Sequence, residues 1–317
     1  WLGRLYSDTN RAALAQQEWR RYVSLAPANA DSWLLAHRLY LSHPQSYPCT
    51  GYYPTFSPDG RLLAYRGRGD AGCLYLSTPD DPAKGDRVYE SDATIWSLDW
   101  SPDSKYLLCR DYKQETVDGK QQYKYRLLVV EAKVGGKTSV LYEGRYVGQP
   151  SWGPGGKSVY FDGYLEKKGR AMLSVPVTGG EPTVAIQPLT GESFVNCLCL
   201  SDGVHVVLQR WLQSAREYQI VLADPRDRNQ DKVILSTAQS LYSVALTPDQ
   251  KYVLYYRRLG QPPMWNLMVL SLDSPGAAHP LDVRTQQMLP PAIAPDMKYM
   301  LLYQGANLMK YELAGLE

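Results

Sequence analysis

The residues that could do chemistry are few and scattered. Four histidines are present, His37, His43, His205 and His279. They fall in a predicted helix, at its end, inside a predicted strand and in an edge strand, so a shared metal site is not expected. No cofactor is expected either. The chain has no Gly-x-Ser-x-Gly elbow. Gly67-Arg68-Gly69 and Gly155-Gly156-Lys157 lack the spacing of a phosphate loop. Asp59, Asp103, Asp249 and Asp296 look like a carboxylate array, yet each follows a proline in its own short turn. There a carboxylate bonds local backbone rather than substrate. Five cysteines include no Cys-x-x-Cys pair, which argues against a zinc ribbon or redox dithiol. No catalytic residue is assigned, and the chain reads as a non-enzyme.

One charge pattern stands out. Arg66, Arg110, Arg210 and Arg257 with Arg258 each end an apolar run at about the same distance from a repeated turn. Asp162 and Gln304 fill that place in the other two copies. Arg68 follows in the next loop. Equivalent strand ends gathered on one face would attract an acidic partner electrostatically. The hairpin 256–265 adds Met264 and Trp265 beside Arg257 and Arg258, residue types enriched in interface cores. Candidate partner-binding residues are therefore Arg66, Arg68, Arg110, Arg210, Arg257, Arg258, Met264 and Trp265.

The elements that carry these arginines repeat. Ser57-Pro58-Asp59-Gly60 precedes an apolar run, and so do Ser101-Pro102-Asp103-Ser104, Gly153-Pro154-Gly155-Gly156, Ser201-Asp202-Gly203, Thr247-Pro248-Asp249-Gln250 and Ala294-Pro295-Asp296-Met297. The copies recur every 44 to 52 residues, taking Ser201 as the fourth mark. A period of that length built from short strands signals propeller blades. Proline at the second turn position, a local Asp and a residue tolerant of positive φ join two antiparallel strands. Two further strands follow in each copy, giving four per blade. The sixth copy ends before its fourth strand, so 42–49 is expected to supply it, and Pro44 and Pro48 suit an edge strand. The longest hairpin, 111–125, reads as a mobile polar finger.

The phrase Trp100-Ser101-Pro102-Asp103, then Lys105 and an apolar run, resembles the WD40-like (PD40) repeat of TolB-like six-bladed propellers. That repeat also occurs in propellers of prolyl oligopeptidases and tricorn-type proteases. The resemblance covers about residues 51–317. Ahead of it, Leu2-Gly3, Tyr6, Ala15, Trp19, Leu25 and Pro27, with Trp33 and Tyr40, are spaced like the end of a tetratricopeptide (TPR) array. Helices are expected to about Tyr6, from about Thr9 to Leu25 and from about Asn29 to Ser42, either as the end of a longer helical array or docked on the propeller or a partner. The expected organisation is a mainly β chain: a TPR-like helical segment over 1–43 and a six-bladed propeller over 44–317.

Composition narrows the partners. Basic and acidic residues nearly balance, 34 against 32, which argues against a globally basic nucleic-acid binder. No apolar run reaches the ~18 residues a membrane helix needs. Tyrosine is abundant at 25 against three phenylalanines, as suits strands and half-buried positions. The expectation is a non-catalytic protein–protein interaction scaffold, a subunit of a larger assembly with an acidic protein partner. The TolB resemblance implies a bacterial periplasmic or envelope setting, with the cytoplasm as the alternative. Two other functions stay open: the propeller of a hydrolase or peptidase, and a sensor of a small glycan or peptide.

Overall fold

The computed structural model describes residues 11–26, 30–37, 39–41, 44–49, 51–117, 119–165, 169–259, 264–276 and 278–314. Two helices come first, α1 (Ala12–Leu25) and α2 (Ala30–Ala36). Two short strands follow, β1 (Tyr40–Leu41) and β2 (Gln45–Ser46). Blade one holds β3 (Gly51–Phe56), β4 (Leu63–Gly67), β5 (Cys73–Thr78) and β6 (Asp81–Glu90). Blade two holds β7 (Thr94–Trp100), β8 (Tyr106–Val117), β9 (Lys120–Glu131) and β10 (Thr138–Gly144). Blade three holds β11 (Ser151–Trp152), β12 (Ser158–Leu165), β13 (Gly169–Pro176) and β14 (Thr183–Ile186). Blade four holds β15 (Glu192–Cys199), β16 (Val206–Leu212), β17 (Glu217–Asp224) and β18 (Asp227–Thr237). Blade five holds β19 (Leu241–Leu246), β20 (Tyr252–Leu259), β21 (Met264–Ser271) and β22 (Ala278–Thr285). Blade six holds β23 (Ala292–Ile293), β24 (Tyr299–Gln304) and β25 (Asn307–Ala314). Every ladder is antiparallel between consecutive strands, and the fold is that of a six-bladed β-propeller.

Two compact units result. The larger runs from Cys49 to Ser240 with Leu272–Gly276, and so holds blades one to four. The smaller holds blades five and six with the N-terminal segment. In the larger unit each blade shares a core with the next. Leu74, Ile95, Trp100, Leu107 and Leu128 join blades one and two. Leu108, Leu127, Val159, Phe161 and Leu173 join two and three. Met172, Phe194, Leu208 and Val221 join three and four. Leu107 and Leu108 go to different clusters because neighbouring strand residues point to opposite faces.

In the smaller unit the missing strand of blade six comes from the N-terminal side, as expected. Gln45 and Ser46 pair with Lys310 and Met309, and Tyr40 and Leu41 with Ala314 and Leu313. The helices fit the TPR reading poorly. The second has only seven residues and stops at Ala36, and Tyr40 is already strand. Strand pairing with β25 overrides the helical pattern there. The helix expected near Tyr6 lies outside the described residues. Trp33 of α2 stacks between His37 and His279, at 4.1 Å from each ring, with Tyr252 edge-on. So two of the scattered histidines meet, across a tryptophan rather than around an ion.

The repeated turn is built as its residues dictate. The Ser101 hydroxyl donates to Asp103 Oδ1 (2.7 Å) and accepts the Tyr106 N–H (2.9 Å). Asp103 in turn accepts the Lys105 N–H at 3.2 Å. Ser57 and Asp59, and Thr247 and Asp249, repeat the arrangement. The fourth turn position is left-handed throughout: Gly60, Ser104, Gln250 and Met297 have φ of 73, 59, 56 and 58°. These hydroxyls first, then backbone N–H groups, hold Asp59 below the usual carboxylate range. The carboxylate array therefore serves the turns. Ser101 is buried, and Ser101→Ala should lower stability by about 1–2 kcal/mol, read by urea unfolding, because the turn loses the hydroxyl bonds to Asp103 and Tyr106.

The hairpin of blade two is strand almost to its tip. The hairpin expected over 111–125 forms, with β8 and β9 in register from Tyr112↔Tyr125 to Val117↔Lys120. The reason is in the sequence, where Asp118-Gly119 is a two-residue hairpin signal and Gly119 has φ of 74°.

Candidate binding face

In the larger unit the second-strand arginines of blades one and two are placed alike. Arg66 leaves the end of β4 and donates Nη1 to the Ile95 carbonyl of blade two at 2.8 Å. Arg110 leaves β8 and donates Nη1 to the Val147 carbonyl, ahead of blade three, at 2.7 Å. Both are half-buried, and the Nε of each is buried with no acceptor. Neither has a carboxylate partner among the described residues. Burial is the main cause that lowers the pKa of Arg110, but a guanidinium does not give up its proton. Asp162 acts on Arg110 from beyond ion-pair distance, so two fixed positive charges remain outside any direct ion pair among the described residues.

Aromatic rings surround them. Arg66 lies 5.1 Å from the Tyr52 ring centre and 5.2 Å from that of Tyr53, within cation–π range. From Tyr53 the rings continue to Trp96 (6.3 Å), Tyr112 (6.1 Å), Tyr125 (5.6 Å) and Tyr146 (5.9 Å). Tyr123 packs against Tyr112 at 5.6 Å. Trp96 is 42 % and Tyr123 50 % exposed. Bulges aim the inner rings. β3 breaks register between Tyr52 and Thr55, where Tyr53 has φ of 55°, and β7 breaks between Ile95 and Ser97. A bulge turns a side chain out of the alternating pattern, so Tyr53 and Trp96 reach this face.

Several neighbouring cations are neutralised locally. Arg126 pairs with buried Asp111 at 2.6 Å. Arg170 pairs with buried Asp162, whose carboxyl is raised by burial and pulled back by that arginine. Lys113 pairs with Asp92, and Lys124 with Glu143.

Of the arginines singled out in the sequence, Arg66, Arg68 and Arg110 gather here, with exposed Arg68 at 5.9 Å from the Tyr52 ring. Arg210 does not join them. It is enclosed in blade four, where Nη1 meets Glu192 (2.9 Å) and Asp231 (3.0 Å) and Nε meets Gln219. Arg228 completes that four-charge network. Arg257 and Arg258 end β20 in the smaller unit. Trp265 is buried against Tyr242 at 4.5 Å and belongs to that unit's core. Met264 is half-buried, and the hairpin tip 260–263 lies outside the described residues. The aromatic run was not legible as a site. Its only sequence signal is the surplus of tyrosine and the recurrence of Tyr53 and Trp96 four or five residues before the turn serine.

Polar contacts also cross between inner strands. Asp99 Oδ2 accepts the Trp152 N–H (3.1 Å), Ser151 Oγ accepts the Cys199 N–H (3.2 Å), and Trp100 Nε1 donates to the Thr55 carbonyl (3.1 Å). The Asp99 carboxyl is enclosed, and burial raises its pKa to about 6. All five cysteines are free thiols. Among the described residues no cluster of three or more His, Cys, Asp or Glu side chains is placed to hold a metal ion.

No family model and no curated protein matches the chain. Solved structures do. A putative TolB from Agrobacterium tumefaciens has a TM-score of 0.59 at 17 % identity, covering 82 % of this chain and 89 % of that one. TolB from Acinetobacter baumannii has 0.57 at 14 %, over 85 % and 65 %. Oligogalacturonate lyase from Vibrio parahaemolyticus has 0.58 at 14 %, over 82 % and 76 %. At these identities the likeness shows the fold: a β-propeller shared by TolB proteins and by an enzyme.

The Asp99 carboxyl gives a pH signature. Its native pKa stands above the ordinary value, so the folded state binds the extra proton, and stability falls as pH rises from about 4 to about 6. Asp99→Asn, which keeps an acceptor for Trp152, should raise stability at pH 7 by roughly 1–3 kcal/mol. The gain should fade as pH approaches 4, measured by urea unfolding across that range.

Proposed function

We propose that this chain is a non-catalytic interaction module that binds an acidic protein partner through the tyrosine–arginine face of blades one to three. One observation carries the reading: Arg66 and Arg110 are half-buried, fixed on backbone carbonyls and outside any direct ion pair among the described residues. A buried charge without a counter-charge is costly, and a partner carboxylate would relieve that cost. Arginine holds its proton, so the pair suits recognition rather than proton transfer. The surrounding tyrosines and Trp96 offer apolar bodies with polar tips, which favour interfaces. Arg257, Arg258 and Met264 are proposed as further partner contacts on the smaller unit. The TolB-like fold supports a place in a bacterial envelope assembly. No helix among the described residues is long and apolar enough to cross a membrane.

The test is capture of the partner from the native source on immobilised protein, with cross-links located by mass spectrometry. Cross-links should fall on the face of blades one to three. Arg66→Gln with Arg110→Gln should weaken capture at least about tenfold while circular dichroism stays native. Raising salt from about 0.05 to about 0.5 M should weaken the unaltered protein in the same direction. Capture that ignores both the substitutions and salt overturns the reading.

A further inference from the structure

The hairpin of blade two outgrows its sheet. β7 accompanies β8 only as far as Thr94↔Tyr112. β10 accompanies β9 only as far as Gly144↔Tyr125. Beyond those pairs, β8 and β9 continue for five more rungs, from Lys113↔Lys124 to Val117↔Lys120, as a two-stranded ribbon. Among the described residues the stretch of β8 from Lys113 to Val117 therefore has a strand neighbour on one side only, which leaves its other edge open. Such an edge is a template for another strand, and proteins usually blunt it with lysine, proline or a bulge. No proline or register break occurs in 113–117. The lysines at the foot of the ribbon, Lys113 and Lys124, are held in ion pairs with Asp92 and Glu143.

This edge rises from the aromatic face. Tyr112, the last residue paired to β7, touches Trp96, Tyr123 and Tyr125, and Arg110 lies two residues earlier on the same strand. We infer that the ribbon edge and the tyrosine–arginine face form one cradle for an extended, acidic segment of the partner polypeptide. The segment adds to blade two as a strand along Lys113–Val117. Its backbone pairs with the open edge, its carboxylates turn toward Arg110 and Arg66, and its other side chains lie over Trp96 and Tyr112. Strand addition takes affinity from main-chain hydrogen bonds and specificity from alternate side chains. It selects a polypeptide over an acidic sugar chain, which has no regular ladder of amide donors. The inference rests on the proposed acidic-partner reading and narrows it to one mode of binding.

The probe is a dye-labelled decapeptide of alternating Glu and Thr, followed by anisotropy and by Trp96 emission, with Trp96→Phe as the emission control. Saturable binding to the full chain is expected. The same peptide N-methylated at every second residue keeps its charge and loses backbone donors, and should bind at least about tenfold more weakly. A Lys–Thr peptide and oligogalacturonate should not compete. Replacing 114–123 by Asn-Gly, which closes the hairpin at its foot, should abolish peptide binding while unfolding stays cooperative. Equal binding of the N-methylated peptide, or competition by oligogalacturonate, overturns strand addition. If no peptide binds while Arg66→Gln and Arg110→Gln still abolish partner capture, this inference fails and the acidic-partner reading stands. If neither effect is seen, both fail.

Discussion

A sheet that is apolar on both flanks must be covered on both, and that requirement governs this structure. Leu107 and Leu108 show it within two residues, since each enters a different interblade core. Each large side chain so buried is worth roughly 1.5–3 kcal/mol, and the clusters recur from blade to blade in the larger unit. The polar contacts follow the same seams. Arg66, Arg110, Asp99 and Ser151 all reach from one blade to backbone of the next. Because such groups are half-enclosed by apolar neighbours, their bonds cannot be exchanged freely with water. The arginines that brace the seams are thereby also held out toward the binding face.

The architecture was legible because it depends on local, repeated chemistry. A left-handed residue closes the turn each time, in most copies after a proline and a carboxylate, and the apolar run after it follows at a similar distance. The strand borrowed for blade six was legible for a topological reason, since the last copy lacks one. What stayed hidden depends on pairs distant in sequence. Arg210 looks equivalent to Arg66 and Arg110 in its repeat, yet Glu192 and Asp231 close around it, and no spacing announces that. Trp265 reads as a surface anchor in a hairpin and is a core residue. The bulges that expose Tyr53 and Trp96 break the alternation from which side-chain direction is inferred. The ribbon of blade two was legible as the longest hairpin, but not that its strands pair in register almost to the tip.

Fold likeness divides from function at this point. TolB proteins and oligogalacturonate lyase share the architecture with this chain, so the sheets themselves do not tell a binder from a catalyst. The distinction rests on what projects from strand ends, as expected when function is grafted onto a common scaffold. Here those projections are phenols, one indole and guanidinium groups that stay charged at every physiological pH.

The borrowed strand of blade six has a consequence for biosynthesis. Gln45 and Ser46 leave the ribosome long before their partners Lys310 and Met309 are made. Throughout the interval the segment has no ladder to join, and its unpaired edge depends on other protection, such as Pro44 and Pro48 on either side. Blade six can mature only after β25 has been made, so a ribosome that stalls before residue 307 releases a chain in which the borrowed strand is unclaimed.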